Sequence, residues 1–240
     1  MPGPWIDQSA LRQELRSFFS DNSKDLERFG RAVNQTFEVF VLASLTSWYK
    51  EKGWNIMFAN PKGVAGTPGF VRLKFSTRGR PENYTYIECA KMDTKVQIRH
   101  QLRVATRFHR KNQRPPSNVV LDVAVIKASD LSGFSTSDYV ENRHLITFAE
   151  AKHMTAFAEL IAAFVGLVHE MQPSRLKTPA KGKKRRLGKH LPPFLYVSGI
   201  LNRTAEGLLK TIERRKYDVR TFSRTKELSA AFSLKGHKRP

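Results

Sequence analysis

Apolar positions recur along this chain in two periods, and the switches between them mark out most of its elements. Asp7 and Gln8 open a helical pattern in which Leu11, Leu15, Phe18 and Phe19 share a face, ending in the polar turn Ser20-Asp21-Asn22-Ser23. A longer helix follows. Its stripe runs through Leu26, Phe29, Val33, Phe37, Phe40, Val41, Leu45 and Trp48, and Gly53 stands where a C-terminal cap belongs. Trp54 to Phe58 then reads as a strand, and Asn60 to Gly69 is rich in turn formers. Phe70 to Phe75 and Tyr84 to Ala90 alternate like half-buried strands and suggest a hairpin.

Lys95 to Arg114 admits two readings. Ile98, Leu102, Ala105 and Phe108 fit a helical face, which we adopt, whereas Val96, Ile98 and their β-branched neighbours permit a strand. After Pro115-Pro116-Ser117-Asn118, the run Val119 to Ile126 is too apolar for an edge strand and is interrupted by one acid, Asp122. A polar loop leads to a second buried strand, Leu145 to Lys152, which ends in Glu150 and Lys152. Phe157, Leu160, Ile161, Phe164, Val165 and Val168 form a helical stripe that should stop before Pro173. Ser174 to His190 holds eight Lys or Arg in seventeen residues without apolar periodicity, as a flexible basic loop would. Phe194 to Ile200 reads as a strand, Thr204 to Lys216 as a helix and Tyr217 to Phe222 as a last strand. The pattern contains no internal repeat.

These elements predict an α/β fold with a central mixed sheet flanked by helices: an N-terminal helical appendage over residues 1–23, a domain over 24–223 containing the basic loop 174–190, and a basic tail over 224–240. The 240 residues, 40% of them hydrophobic, suffice for a real core. Forty-two Lys and Arg against 21 Asp and Glu leave a formal charge of +21, which makes a polyanion the expected partner, nucleic acid before anionic membrane. Cys89 is the single cysteine, which excludes an intrachain disulfide and a thiolate cluster and fits a reducing compartment. No leader pattern opens the chain, and the longest nearly apolar run, Leu160 to Val168, is half a membrane span, so a cytoplasmic protein without a membrane segment is expected.

Asp122, Glu150 and Lys152 are the candidate chemistry. Side chains two apart in a strand share a face, so Glu150 and Lys152 point the same way, and an antiparallel pairing would bring Asp122 across from them. Burying such charges costs several kcal/mol each without compensation, and a hard divalent cation between the carboxylates is one compensation. The acid-x-Lys triplet occurs a second time, at Asp93-Thr94-Lys95, but there no apolar strand precedes it.

With an Asp-bearing strand followed by a Glu-x-Lys strand and a helix, the chain from about Val33 to Phe222 resembles the PD-(D/E)xK superfamily of restriction-endonuclease-like nucleases. The resemblance implies Mg²⁺, replaceable by Mn²⁺, held by Asp122, Glu150 and the Ala151 carbonyl, with Lys152 positioning or activating the attacking water. It further implies a glutamate on the first core helix, for which Glu38 stands in place, and a product with a 5′-phosphate and a 3′-hydroxyl. Leu121 replaces the proline of the motif. A metal-dependent endodeoxyribonuclease acting in anti-phage defence or restriction is the expectation, as a homodimer or with a defence-system partner; the alternative is a non-catalytic nucleic-acid-binding protein. Arg99, Arg103, Arg107 and Arg110, on one stripe if their segment is helical, and Lys181, Lys183, Lys184, Arg185, Arg186 and Lys189 in the loop are the expected phosphate contacts, with DNA favoured over RNA. His153, next to Lys152, reads as a surface or capping residue.

Overall fold

The computed structural model describes residues 23–60, 71–75, 80–110, 112–128, 139–178 and 189–223. The expected helix of residues 7–19, the core of the basic loop and the C-terminal tail lie outside them. Helix α1 (Ser23–Glu51) is followed by strands β1 (Asn55–Ala59), β2 (Tyr86–Lys91), β3 (Thr94–Ala105), β4 (Asn118–Lys127) and β5 (Leu145–Lys152). Helix α2 (Ala158–Met171), strand β6 (Phe194–Val197), helix α3 (Arg203–Arg214) and strand β7 (Arg220–Phe222) complete the order. Gly53 adopts φ +76° just past α1, where its N–H reaches the Lys50 carbonyl, the left-handed cap its position predicts.

Seven strands form one mixed sheet in sequence order, antiparallel from β1 to β5 and parallel from β5 to β7. The two parallel steps cross over through α2 and α3, and crossovers of one hand put both helices on the same face. There Ile161, Phe164, Val168, Ala205, Leu209 and Ile212 pack with Phe148, Leu195 and Val197. The opposite face is covered by α1, whose Val41, Leu42, Leu45, Trp48 and Tyr49 pack on Ile98, Val123, Val125, Ala149 and Tyr196. The result is a three-layer α/β arrangement.

Two expectations fail. The segment from Lys95 is strand β3 as far as Ala105, not helix, because both its edges are taken, by β2 and β4, and every residue from Val96 to His100 is buried. Burial on both faces removes the alternation that would have identified a strand. The proposed hairpin between Phe70–Phe75 and Tyr84–Ala90 also gives way. Residues 71–75 join no ladder, meeting Thr85 only through Arg72, because both edges of β2 are already occupied by β1 and β3.

Strands β3 and β4 change face together at one rung. Val96, Ile98, Val123 and Val125 belong to the core under α1, whereas Leu102, Val104 and Leu121 belong to the core under α2 and α3. Between them Gln101 has φ +46°, and the rung that would join it to Asp122 is missing from a ladder that holds on both sides, at His100↔Val123 and Leu102↔Leu121. A left-handed residue inside a strand twists it as a bulge does. Asp122 sits at this inflection, committed to neither core.

Candidate active site

The β4–β5 ladder runs from Ile126↔Leu145 to Val123↔Ala149. One rung further, where Asp122 would face Glu150, the strands part: β4 stays with β3, and β5 stays with β6 through Lys152↔Val197. This fork in the sheet is closed by side chains. The Asp122 carboxylate takes the place of the absent rung, its Oδ2 accepting the Ala151 N–H at 2.9 Å. The Lys152 ammonium donates to Asp122 Oδ2 at 2.8 Å and to Glu150 Oε2 at 3.0 Å. The two carboxylate oxygens therefore lie no farther apart than the sum of these contacts. Because the N–H and C=O of one strand residue share an edge, the Ala151 carbonyl is directed to the fork as well.

Charge is out of balance here. Two carboxylates face one ammonium, and the side chains of Asp122 and Glu150 are 13% and 12% exposed. Burial pushes the Glu150 carboxyl up to about 7, with repulsion from Asp122 adding to it and the attraction of Lys152 opposing. Burial works against the Lys152 charge too, but Glu150 and Asp122 together outweigh it and hold the ammonium above its ordinary range. The lysine gains from the cluster, and Glu150 is the acid for which burial and Asp122 together outweigh it. Glu150 Oε1 is accordingly buried without a hydrogen-bond partner. An orphaned anionic oxygen beside a surplus negative charge is what a hard cation would satisfy, and Mg²⁺ characteristically takes only one or two carboxylates from the protein, leaving other positions to water and phosphate. The residues present fit such an ion.

Glu38 is held separately. Its Oε2 accepts from His100 Nε2 at 2.9 Å and from Gln101 Nε2 at 2.8 Å, on the α1 side of the sheet. Among the described residues, no group of three or more His, Cys, Asp or Glu side chains is arranged to hold a metal. The His100–Glu38 pair was not legible in the sequence, since reading Lys95–Arg114 as a helix hid His100 from α1.

The expected arginine stripe does not form on a strand. Arg99 is buried, its Nη1 donating to the Pro81 carbonyl, its Nε to Gln97 Oε1, and its guanidinium lying 4.2 Å from the centre of the Tyr86 ring. It braces the β2–β3 layer and is unavailable to a phosphate. Arg103 is half-buried and donates to Asn118 Oδ1, while Arg107, Arg110 and Lys189 are exposed. Lys181, Lys183, Lys184, Arg185 and Arg186 lie outside the described residues. The second acid-x-Lys triplet is ordinary: Asp93 sits in the two-residue turn between β2 and β3, and Lys95 pairs with Glu88 at 3.4 Å. His153 is exposed, its ring 5.9 Å from that of Phe37.

Other chemistry is weaker. Burial, with Glu88 adding, pushes the Cys89 thiol up to about 12, which denies it a nucleophilic role. An apolar cavity of about 270 Å³ between α1 and the sheet is lined by residues such as Leu42, Phe58, Ile87 and Ile98 and touches none of Asp122, Glu150 and Lys152. No described helix is long and apolar enough to cross a membrane.

No family model, curated protein or solved structure matches the chain.

Proposed function

We propose that this protein is a Mg²⁺-dependent nuclease with a restriction-endonuclease-like core, hydrolysing phosphodiester bonds of DNA at the fork between β4 and β5. One observation carries the reading: Asp122 and Glu150 converge on Lys152 at a break in the sheet, and the orphaned Glu150 Oε1 leaves that cluster short of positive charge. The +21 charge of the chain supports a polyanionic substrate.

Asp122 and Glu150 would hold the ion, with the Ala151 carbonyl beside them. The bound ion polarises the phosphoryl oxygens and lowers the pKa of water. Asp122 is fixed for this task by the Ala151 N–H, so it needs no reorganisation. Lys152, whose ammonium is favoured by both acids, would bring a positive charge beside a bound phosphate and stabilise charge developing on its oxygens. A charged lysine is a poor base, so its role is electrostatic.

The test is cleavage of plasmid, linear duplex, single-stranded DNA and RNA by wild type and Lys152→Ala, with Mg²⁺, Mn²⁺ or EDTA. Metal-dependent cleavage lost in the variant supports the proposal, and equal cleavage by both proteins refutes it. A second reading rests on the same contacts. Lys152 already pairs with both acids, so the cluster could be a structural ion-pair network in a protein that binds nucleic acid without cutting it. That reading predicts binding unchanged in Asp122→Ala and no cleavage by wild type with either metal.

A further inference from the structure

Immediately beyond Lys152 the chain builds a rigid apolar lip. The Lys152 carbonyl accepts from Met154 N at 3.0 Å and from Ser198 N at 3.1 Å, and Met154 O accepts from Gly199 N at 3.2 Å. Ala156 N then donates to Ile200 O at 2.9 Å and Asn202 N to Ala156 O at 3.0 Å, so the segments after β5 and β6 are stitched together to the starts of α2 and α3. Contact is close enough that a Cβ on Gly199 would fall 2.8 Å from Met154 O and Thr155 N. Three apolar side chains on these segments are about half exposed: Met154 45%, Phe157 47% and Ile200 52%.

We propose that this lip seats an unstacked base of single-stranded DNA, next to the phosphate at the fork. The inference rests on the nuclease reading and adds the substrate class. Met154 is two residues from Lys152, at most about 7 Å of chain, so the lip lies within reach of a nucleoside next to a phosphate at the fork. Charge separates the two parts of that nucleotide. The first turns of α2 and α3 hold Glu159 and Glu206 as well as Arg203, so the lip has no excess of cations for a phosphate, while its apolar atoms match a base, whose face is π-rich and weakly hydrated. Bases of an intact duplex are stacked on each other and cannot use it. A preformed scaffold also avoids the cost of ordering a loop on binding.

The experiment is binding of a short single strand and of the matching duplex, by fluorescence anisotropy in EDTA, to wild type, to Phe157→Ser/Ile200→Ser and to Phe157→Tyr. Wild type should prefer the single strand. The double variant should bind it about tenfold more weakly while its duplex affinity stays the same, and Phe157→Tyr, which keeps the ring, should behave as wild type. Cooperative thermal unfolding establishes that the variants are folded, and Phe157→Ser places a favoured capping side chain at the N-cap of α2. Equal affinities of wild type for both forms, or equal losses for both in the double variant, overturn the lip while leaving the nuclease reading standing. Binding of neither form by wild type overturns the lip, and the cleavage assay with Mg²⁺ then decides the nuclease reading separately.

Discussion

Glu150 holds one carboxylate oxygen 3.0 Å from the Lys152 ammonium and keeps the other buried with no partner at all. The folded protein therefore favours protonated Glu150, whose carboxyl is pushed up to about 7 by burial first and by Asp122 second. An acid whose folded pKa exceeds its unfolded value binds protons more tightly in the native state. Its contribution is complete below the ordinary carboxylate range and is lost as pH rises through about 7. Lys152, raised as well, holds its contribution across that window and loses it only in alkali. Glu150→Gln should thus raise the melting temperature of the metal-free protein more at pH 8 than at pH 5. Thermal melts at the two values in EDTA check this, and an equal shift at both would show that Glu150 is ionised throughout.

Cation binding follows the opposite course. On the proposed reading the ion needs ionised Glu150, so Mg²⁺ should stabilise wild type at pH 8 and lose most of that effect at pH 5, through the mass-action coupling of binding to folding. Glu150→Gln should abolish the Mg²⁺ shift at both values. Melts with and without Mg²⁺ give the answer, and they do so without any substrate.

Lys152 predicts a different pattern because its removal leaves two acids facing each other. Lys152→Ala should destabilise the metal-free protein by about 1–2 kcal/mol at pH 8, a figure kept below that of a fully buried pair because 36% of the side chain is exposed. Protonation of Glu150 should relieve most of the loss at pH 5. If the nuclease proposal holds, cleavage with Mg²⁺ at pH 8 should fall by about 10²–10³-fold, since the positive charge beside the phosphate is gone. Denaturant unfolding and a cleavage time course separate the two effects.

Much of this arrangement was legible before any coordinates, and for local reasons. Helices α1 and α2 announce themselves through their apolar stripes and strands β4 and β5 through their apolar runs, inside which Asp122 and Glu150 stand out as acids. Strand β3 did not, because the strand on its far edge, β4, and the layers that bury both its faces are distant in sequence. Ile98, Leu102 and Ala105 also happen to follow helical steps. Reading that segment as a helix hid the contact of Arg99 with Tyr86 across the β2–β3 hairpin and the approach of His100 to Glu38. The parting of β4 from β5 was equally hidden: no residue type marks it, and only the register shows that the ladder ends at Val123↔Ala149.

Gly199 ties the lip to the end of strand β5 and offers a sharp structural test. A methyl group there would press on the backbone of Met154 and Thr155 at 2.8 Å, and neither atom belongs to a flexible side chain that could swing away. Gly199→Ala should cost about 1–3 kcal/mol, as overpacking does elsewhere. Its strain falls on the turn that holds the Lys152 carbonyl, so cleavage should drop by more than the loss of folded protein accounts for. Specific activity measured well below the melting temperature distinguishes the two. Gly207, with open space around its missing Cβ, is the control: Gly207→Ala, in the middle of α3, should be neutral or stabilising.

At the far end of α1 a histidine sets the acid limit of the fold. Tyr49 and His190 Nδ1 are hydrogen bonded at 2.8 Å, and the His190 ring lies 5.6 Å from that of Trp54. Burial, then Lys189 and Arg175, lowers the His190 pKa to about 4. A histidine depressed in the native state contributes stability that is present above its ordinary value near 6.5 and is lost as pH falls through about 4. His190→Gln retains a neutral acceptor for the Tyr49 hydroxyl and cannot take up a proton. Its melting temperature should lie below that of wild type at neutral pH, because the aromatic contacts with Tyr49 and Trp54 are lost, yet fall less steeply between pH 6.5 and pH 4. Parallel melting curves for the two proteins would mean that His190 is already protonated in the native state. In that case the Tyr49 hydroxyl would have to turn its oxygen toward an imidazolium, and the contact would be made with the opposite polarity.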